Sequence, residues 1–123
     1  MEQFLGNCTG CTIDAIAMHV YDSATNIRMS PPSPVPRRPL TSCTAYFQSY
    51  IPGVAAQFNK PVWVTEFAGS GTPDEEAAFI NTMIPFLDAQ PQVQRYAYFA
   101  TIEGNLVANG AVTQIGGAYQ AAK

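Results

Sequence analysis

The sequence predicts an α/β fold built from parallel βαβ units, and three observations carry that expectation. Short apolar runs at 12–21, 61–67 and 93–101 read as strands, rich in β-branched and aromatic residues. Between them, at 44–58 and 72–90, apolar residues recur at helical spacing, and a short helix is expected near the C-terminus. Strands that alternate with helices imply parallel pairing through right-handed crossovers.

In the first strand, alternation puts Ile13, Ala15, Ala17, His19 and Tyr21 on one face and Ile16, Met18 and Val20 on the other. Both faces are largely apolar, as in a sheet covered on both sides. The stretch 28–42, "RMSPPSPVPRRPLTS", has five prolines in fifteen residues and no periodicity. It reads as an insert in a single domain spanning 1–123. Its PxxP spacing would suit a proline-recognising module, but its abrupt change of composition fits an intron translated in frame better. The helix at 44–58 carries the stripe Phe47, Tyr50, Ile51, Val54 and Phe58, with a kink expected at Pro52–Gly53.

The second strand, "PVWVTEF", sets a lone carboxylate, Glu66, at the end of an apolar run. Strict alternation places Glu66 with Val62 and Val64, and turns Trp63, Thr65 and Phe67 to the opposite, helix-covered side. A carboxylate on an apolar face must be paired, solvated at the strand end, or tuned for chemistry. The strand stops at once, because Gly69 and Gly71 supply a turn. Thr72, Pro73 and Glu75 then form the capping box of a second helix, with the stripe Phe79, Ile80, Met83, Ile84 and Leu87. Glu66 therefore stands at the C-terminal end of a strand, where α/β folds place their active sites. The acidic run Asp74–Glu76 complements the helix dipole and needs no further role. In the third strand Tyr96 and Tyr98 share a face, and Asn109–Gly110 signals a turn before the last helix.

The chain of 123 residues carries a net charge of −3, which gives no electrostatic footprint for nucleic acid or an anionic membrane, and no run is long enough to span a bilayer. The N-terminal "MEQFLGNCTGC" lacks the organisation of a signal peptide. Of Cys8, Cys11 and Cys43, the first two form a Cys-x-x-Cys with no second ligand pair, and His19 is the sole histidine, so no metal site is expected. A structural disulfide or plain buried thiols fit better than a redox pair. The tripeptide Asn7-Cys8-Thr9 is a glycosylation sequon.

"CTIDAIAMHVY", "KPVWVTEFA", "FLDAQPQVQRYAYFA" and "GAVTQIGGAY" together resemble the glycosyl hydrolase catalytic core of the fungal alkali-sensitive linkage protein type, glycoside hydrolase family 128, the β-1,3-glucanases. The resemblance implies a TIM (β/α)8 barrel, of which this chain would be about the last three βα units. It puts Glu66 on the catalytic nucleophile, His19 and Tyr21 at the sugar site, and Tyr98 where relatives often carry a stacking tryptophan. The family's acid/base glutamate, in an Asn-Glu-Pro type motif, has no counterpart here. Asp22 and Glu103 do not sit at its position.

The implied function is that of a retaining endo-β-1,3-glucanase core acting on fungal wall glucan, without cofactor. The implied location is extracellular or in the cell wall. The alternative is a glucan-binding or orphan fragment without hydrolysis. Three parallel strands leave two open edges, so self-association is also expected.

Overall fold

The computed structural model describes residues 2–21 and 43–122. Asp22 and the proline-rich stretch 28–42 lie outside the described residues. A short helix, α1 (Glu2–Asn7), precedes strand β1 (Ile16–Tyr21), helix α2 (Cys43–Phe58), strand β2 (Val62–Ala68), helix α3 (Pro73–Asp88) and strand β3 (Val93–Tyr98). A two-stranded hairpin, β4 (Val107–Ala108) with β5 (Ala111–Val112), leads into helix α4 (Gln114–Ala121). The main sheet has the order β1-β2-β3 and every pair in it is parallel, which is the expected βαβαβ arrangement.

The core lies between one face of this sheet and helices α2 and α3. Ile16, Met18 and Val20 of β1 and Val62, Val64 and Phe67 of β2 meet Phe47, Ile51 and Val54 of α2 and Phe79, Ile80, Met83, Ile84 and Leu87 of α3. Both predicted helical stripes are buried apart from Tyr50, which is exposed and stacks on Tyr46, and Phe58, which is half-buried. Neither Pro52 nor Pro85 ends its helix; each lies inside a continuous element. Thr72 caps α3 with the complete reciprocal box: its hydroxyl accepts from the Glu75 amide, and the Glu75 carboxylate accepts from the Thr72 amide at 2.7 Å. The Asn109–Gly110 turn joins β4 to β5 with both residues at positive φ, 53° and 74°, as a tight two-residue hairpin requires.

The opposite face of the sheet is not covered by the described helices. Along β1, buried and exposed residues alternate, with Ala17, His19 and Tyr21 on the open side. The expectation that both faces of this strand are covered is thus corrected: among the described residues, one is.

The strict alternation expected in β2 is also corrected. Met18 pairs with Val64 but His19 pairs with Glu66, so Thr65 is an extra residue, a bulge between β1 and β2. The Thr65 hydroxyl donates to the Met18 carbonyl at 3.3 Å, satisfying an acceptor beside the irregularity. Thr65 and Glu66 consequently both lie on the open side, and Phe67 returns to the core with Val62 and Val64. Trp63, expected against the helices, is 37% exposed on the open face. Arg95, its register partner on β3, lies over its ring at 5.3 Å.

Candidate functional site

The bulge decides where the lone carboxylate points. With Glu66 re-aimed to the open face, its side chain is 29% exposed and its Oε2 receives two neighbours from β1. The Tyr21 hydroxyl donates to it in a short hydrogen bond. His19 Nδ1 lies 3.3 Å from the same oxygen, an ion pair when the imidazole is protonated. Three predicted site residues thus converge at the C-terminal ends of adjacent parallel strands.

Tyr21 is exposed along its ring while its hydroxyl is turned onto Glu66. Loss of water at that tip, then the hydrogen bond to Glu66 and the carboxylate's charge, push the Tyr21 hydroxyl up to about 12. The phenol is therefore a proton donor across the whole neutral range. It fixes the orientation of Oε2 and leaves Oε1 as the other carboxylate oxygen.

The structure does not bring Tyr98 to this group. It is 7% exposed on the helix side of β3, where its hydroxyl donates to Glu76 Oε2 at 2.6 Å. Its ring packs edge-to-face on Phe67 and tilts against Tyr119. Burial, then the hydrogen bond to Glu76 and that carboxylate's charge, raise its hydroxyl well above the ordinary tyrosine range. The expectation that Tyr98 lines the open site is corrected by strand phase: Tyr96 and Tyr98 do share a face, and it is the one that packs on the helices.

The aromatic on the open side is the next residue. Phe99 is 44% exposed and meets Tyr21 edge-to-face, with ring centroids 5.9 Å apart. Its amide donates to the Phe67 carbonyl at 3.0 Å, and its own carbonyl accepts from Asn105 Nδ2 at 3.2 Å. The signal for Phe99 was its odd spacing from Tyr96 and Tyr98, which puts it on the face opposite to theirs.

Elsewhere, Glu103 is engaged with the Asn109 amide at 2.8 Å in the hairpin region, away from Glu66. Cys8 and Cys11 form a disulfide. Among the described residues no group of three or more His, Cys, Asp or Glu side chains could hold a metal ion, and no helix is long and apolar enough to cross a membrane.

The profile of the glycosyl hydrolase catalytic core matches residues 1–119. The chain belongs to that family. Alkali-sensitive linkage protein 1 of Schizosaccharomyces pombe is 30% identical over 108 residues, 81% of this chain and 16% of that protein. A subgroup III family 128 curdlan-specific exo-β-1,3-glucanase from Blastomyces gilchristii, solved in complex with glucose, is 31% identical with a TM-score of 0.73. The match covers 96% of this chain and 45% of that one. A subgroup VII family 128 oligosaccharide-binding protein from Cryptococcus neoformans shares the fold at 24% identity and a TM-score of 0.68, over 92% of this chain and 42% of its own. This glycosyl hydrolase core chain thus spans less than half the length of these solved relatives, and a smaller part of the yeast protein.

Proposed function

We propose that this chain supplies about the last three βα units of a family 128 (β/α)8 barrel and contributes the nucleophile of a retaining β-1,3-glucanase, with Glu66 in that role. The observation that carries the reading is the convergence of Tyr21 and His19 on one oxygen of a carboxylate at a strand's C-terminal end. With Oε2 held, Oε1 attacks the anomeric carbon of a glucosyl unit as the bond to the leaving oxygen breaks, forming a glycosyl ester. Water later displaces Glu66 from the sugar. A second carboxylic acid about 5 Å away must protonate the leaving oxygen and then activate that water. The two neighbours of Oε2 lower the cost of presenting an anion at an otherwise apolar strand end.

A second reading is favoured by one specific observation. No other described carboxylate is placed against Glu66: Asp14 precedes the N-terminal end of β1, Asp74 accepts from Gln114, Glu75 caps α3, Glu76 is buried against Tyr98, Asp88 accepts from Tyr96, and Glu103 holds Asn109. A glucan-binding role without hydrolysis fits that count and parallels the oligosaccharide-binding relative. Release of reducing sugar from soluble β-1,3-glucan, compared between the chain and Glu66→Gln, decides between them. Activity lost only in the variant supports the nucleophile. Equal background from both, with retained binding of laminari-oligosaccharide, supports the binding role.

The cleavage pattern, endo or exo, is read from the products; the expectation is endo. An extracellular or wall location is supported by the Cys8–Cys11 disulfide, which persists in oxidising compartments. Self-association through the outer edges of β1 and β3 is supported by their lacking a strand partner among the described residues.

A further inference from the structure

Glu76 is the one described charged residue in the core, 5% exposed, and burial of a carboxylate needs a reason. It stands in the first turns of α3, four residues after the capping Thr72, and its amide donates to the Thr72 carbonyl at 2.9 Å. Its Oε2 accepts from the Tyr98 hydroxyl, while its Oε1 has no partner among the described residues. A half-satisfied buried carboxylate is a poor stabilising device, because apolar residues of the same shape would fill the space at lower cost. Its value must lie in what it positions.

The two ends of this hydrogen bond sit beside the two loops that border Glu66. On one side, α3 begins just after the turn that leaves β2, so Glu76 anchors the helix into which the strand bearing Glu66 runs. On the other, Tyr98 immediately precedes Phe99, whose ring meets Tyr21. The Tyr98 ring packs on Phe67, the residue after Glu66, whose carbonyl also accepts the Phe99 amide. With Tyr98 held toward the helices, strand alternation turns Phe99 to the open face.

We propose that the buried Glu76–Tyr98 hydrogen bond is a positioning clamp that fixes Phe99 against Tyr21, and through Tyr21 orients the Glu66 carboxylate. Glu76 and Tyr98 are positioning residues with no contact to sugar. The functional consequence rests on the reading of this face as a glucan site; the clamp itself does not.

The test is proton NMR on the full 123-residue chain without sugar, following the through-space contact between the Tyr21 and Phe99 rings. Glu76→Gln keeps an acceptor for the Tyr98 hydroxyl and is expected to keep the contact. Glu76→Ala is expected to lose it. Because an orphaned group can unfold the chain, the double variant Glu76→Leu with Tyr98→Phe removes both partners together, which avoids leaving a buried polar atom unpaired. That variant is expected to keep native methyl shifts for Val62, Val64 and Ile80 while losing the Tyr21–Phe99 contact. Persistence of the contact in the folded double variant, or its loss in Glu76→Gln, overturns the clamp.

Titration of the same variants with laminaritriose separates the two claims. If the clamp variants lose the ring contact but the parent chain binds no trisaccharide, the glucan reading fails and the clamp stands. Binding by the parent that weakens at least tenfold in the double variant, with recovery in Glu76→Gln, supports both.

Discussion

His19 and Glu66 are register partners across β1 and β2, with Nδ1 3.3 Å from Oε2, only because Thr65 is an extra residue in β2. Bulges re-aim side chains beside functional sites, and here one turns a carboxylate from the core to the open face. Deleting Thr65 would remove the bulge and set Glu66 directly after Val64, so that regular alternation keeps Glu66 on the open face and Phe67 in the core. The deletion is therefore expected to cost less than about 3 kcal/mol, the scale of a buried uncompensated charge, because it creates none. Urea denaturation checks it; a loss of more than about 3 kcal/mol would show that Thr65 is not the extra residue.

Tyr21 gives a spectroscopic readout of the same geometry. Its hydroxyl is raised to about 12 by desolvation, by its bond to Glu66 and by that carboxylate's charge. In Glu66→Gln the charge is gone, so the titration midpoint is expected to fall toward the ordinary value of about 10 without reaching it, since desolvation remains. Tyrosinate absorbance of the parent and variant, each compared with its Tyr21→Phe derivative, isolates this group; an unchanged midpoint would sink the assignment.

The same shift fixes a sign for stability. Between about pH 10, where an unfolded tyrosine loses its proton, and about 12, where folded Tyr21 does, the unfolded state binds fewer protons. The Tyr21 contribution is therefore fully present below pH 10 and is lost as pH rises to 12. Tyr21→Phe is expected to flatten that part of the stability profile in denaturant titrations.

How much of this was legible in the sequence follows from what periodicity encodes. The stripes of α2 and α3, the Thr72 box and the Asn109–Gly110 turn rest on local rules, and the structure has them, apart from Tyr50, which is exposed, and Phe58, which is half-buried. The placement of Glu66 near His19 and Tyr21, on the side away from the helices, was legible from the sequence, yet the faces of Val62, Trp63, Val64 and Phe67 were not, because a bulge is a departure from the period that alternation assumes. Trp63 was put on the helix side by that same arithmetic. Tyr98 was given a site position by its strand-end place and by analogy with a tryptophan in relatives, whereas the structure turns it, with Tyr96, toward the helices. Glu76 looked like one more first-turn acid; its burial depends on where β3 ends, which no local pattern states.

Gly116 tests how tightly α4 is seated. A Cβ there would lie 2.1 Å from the Leu106 carbonyl oxygen and 2.8 Å from Val112 Cγ1. The nearest obstacle is backbone, so relief requires shifting the helix or the hairpin loop. Gly116→Ala is expected to cost about 1–3 kcal/mol, as overpacking does, whereas Gly117→Ala, with nothing within 4 Å, is expected to be neutral or stabilising. Thermal melts of the two variants side by side make the comparison; equal melting temperatures would contradict the close approach.

Beside Tyr21, the open face holds two further exposed aromatic groups among the described residues, Trp63 and Phe99, and they are expected to differ in function. Trp63 sits lower on its strand, with Arg95 over its ring and its indole N–H donating to Gln94 at 3.0 Å, so both its polar handle and one ring face are already occupied. Phe99 stands at the strand-end level of Tyr21 and Glu66 with its ring exposed, and an apolar ring at that position can receive the C–H face of a glucosyl unit. Phe99→Ala is therefore expected to weaken binding of a laminari-oligosaccharide by about tenfold, equivalent to about 1.4 kcal/mol, while Trp63→Phe changes it by less than about twofold. Isothermal titration of both variants against the parent measures the difference. A loss confined to Trp63→Phe would move the sugar contact down the sheet, away from Glu66, and would remove the stereochemical basis for that carboxylate as a nucleophile.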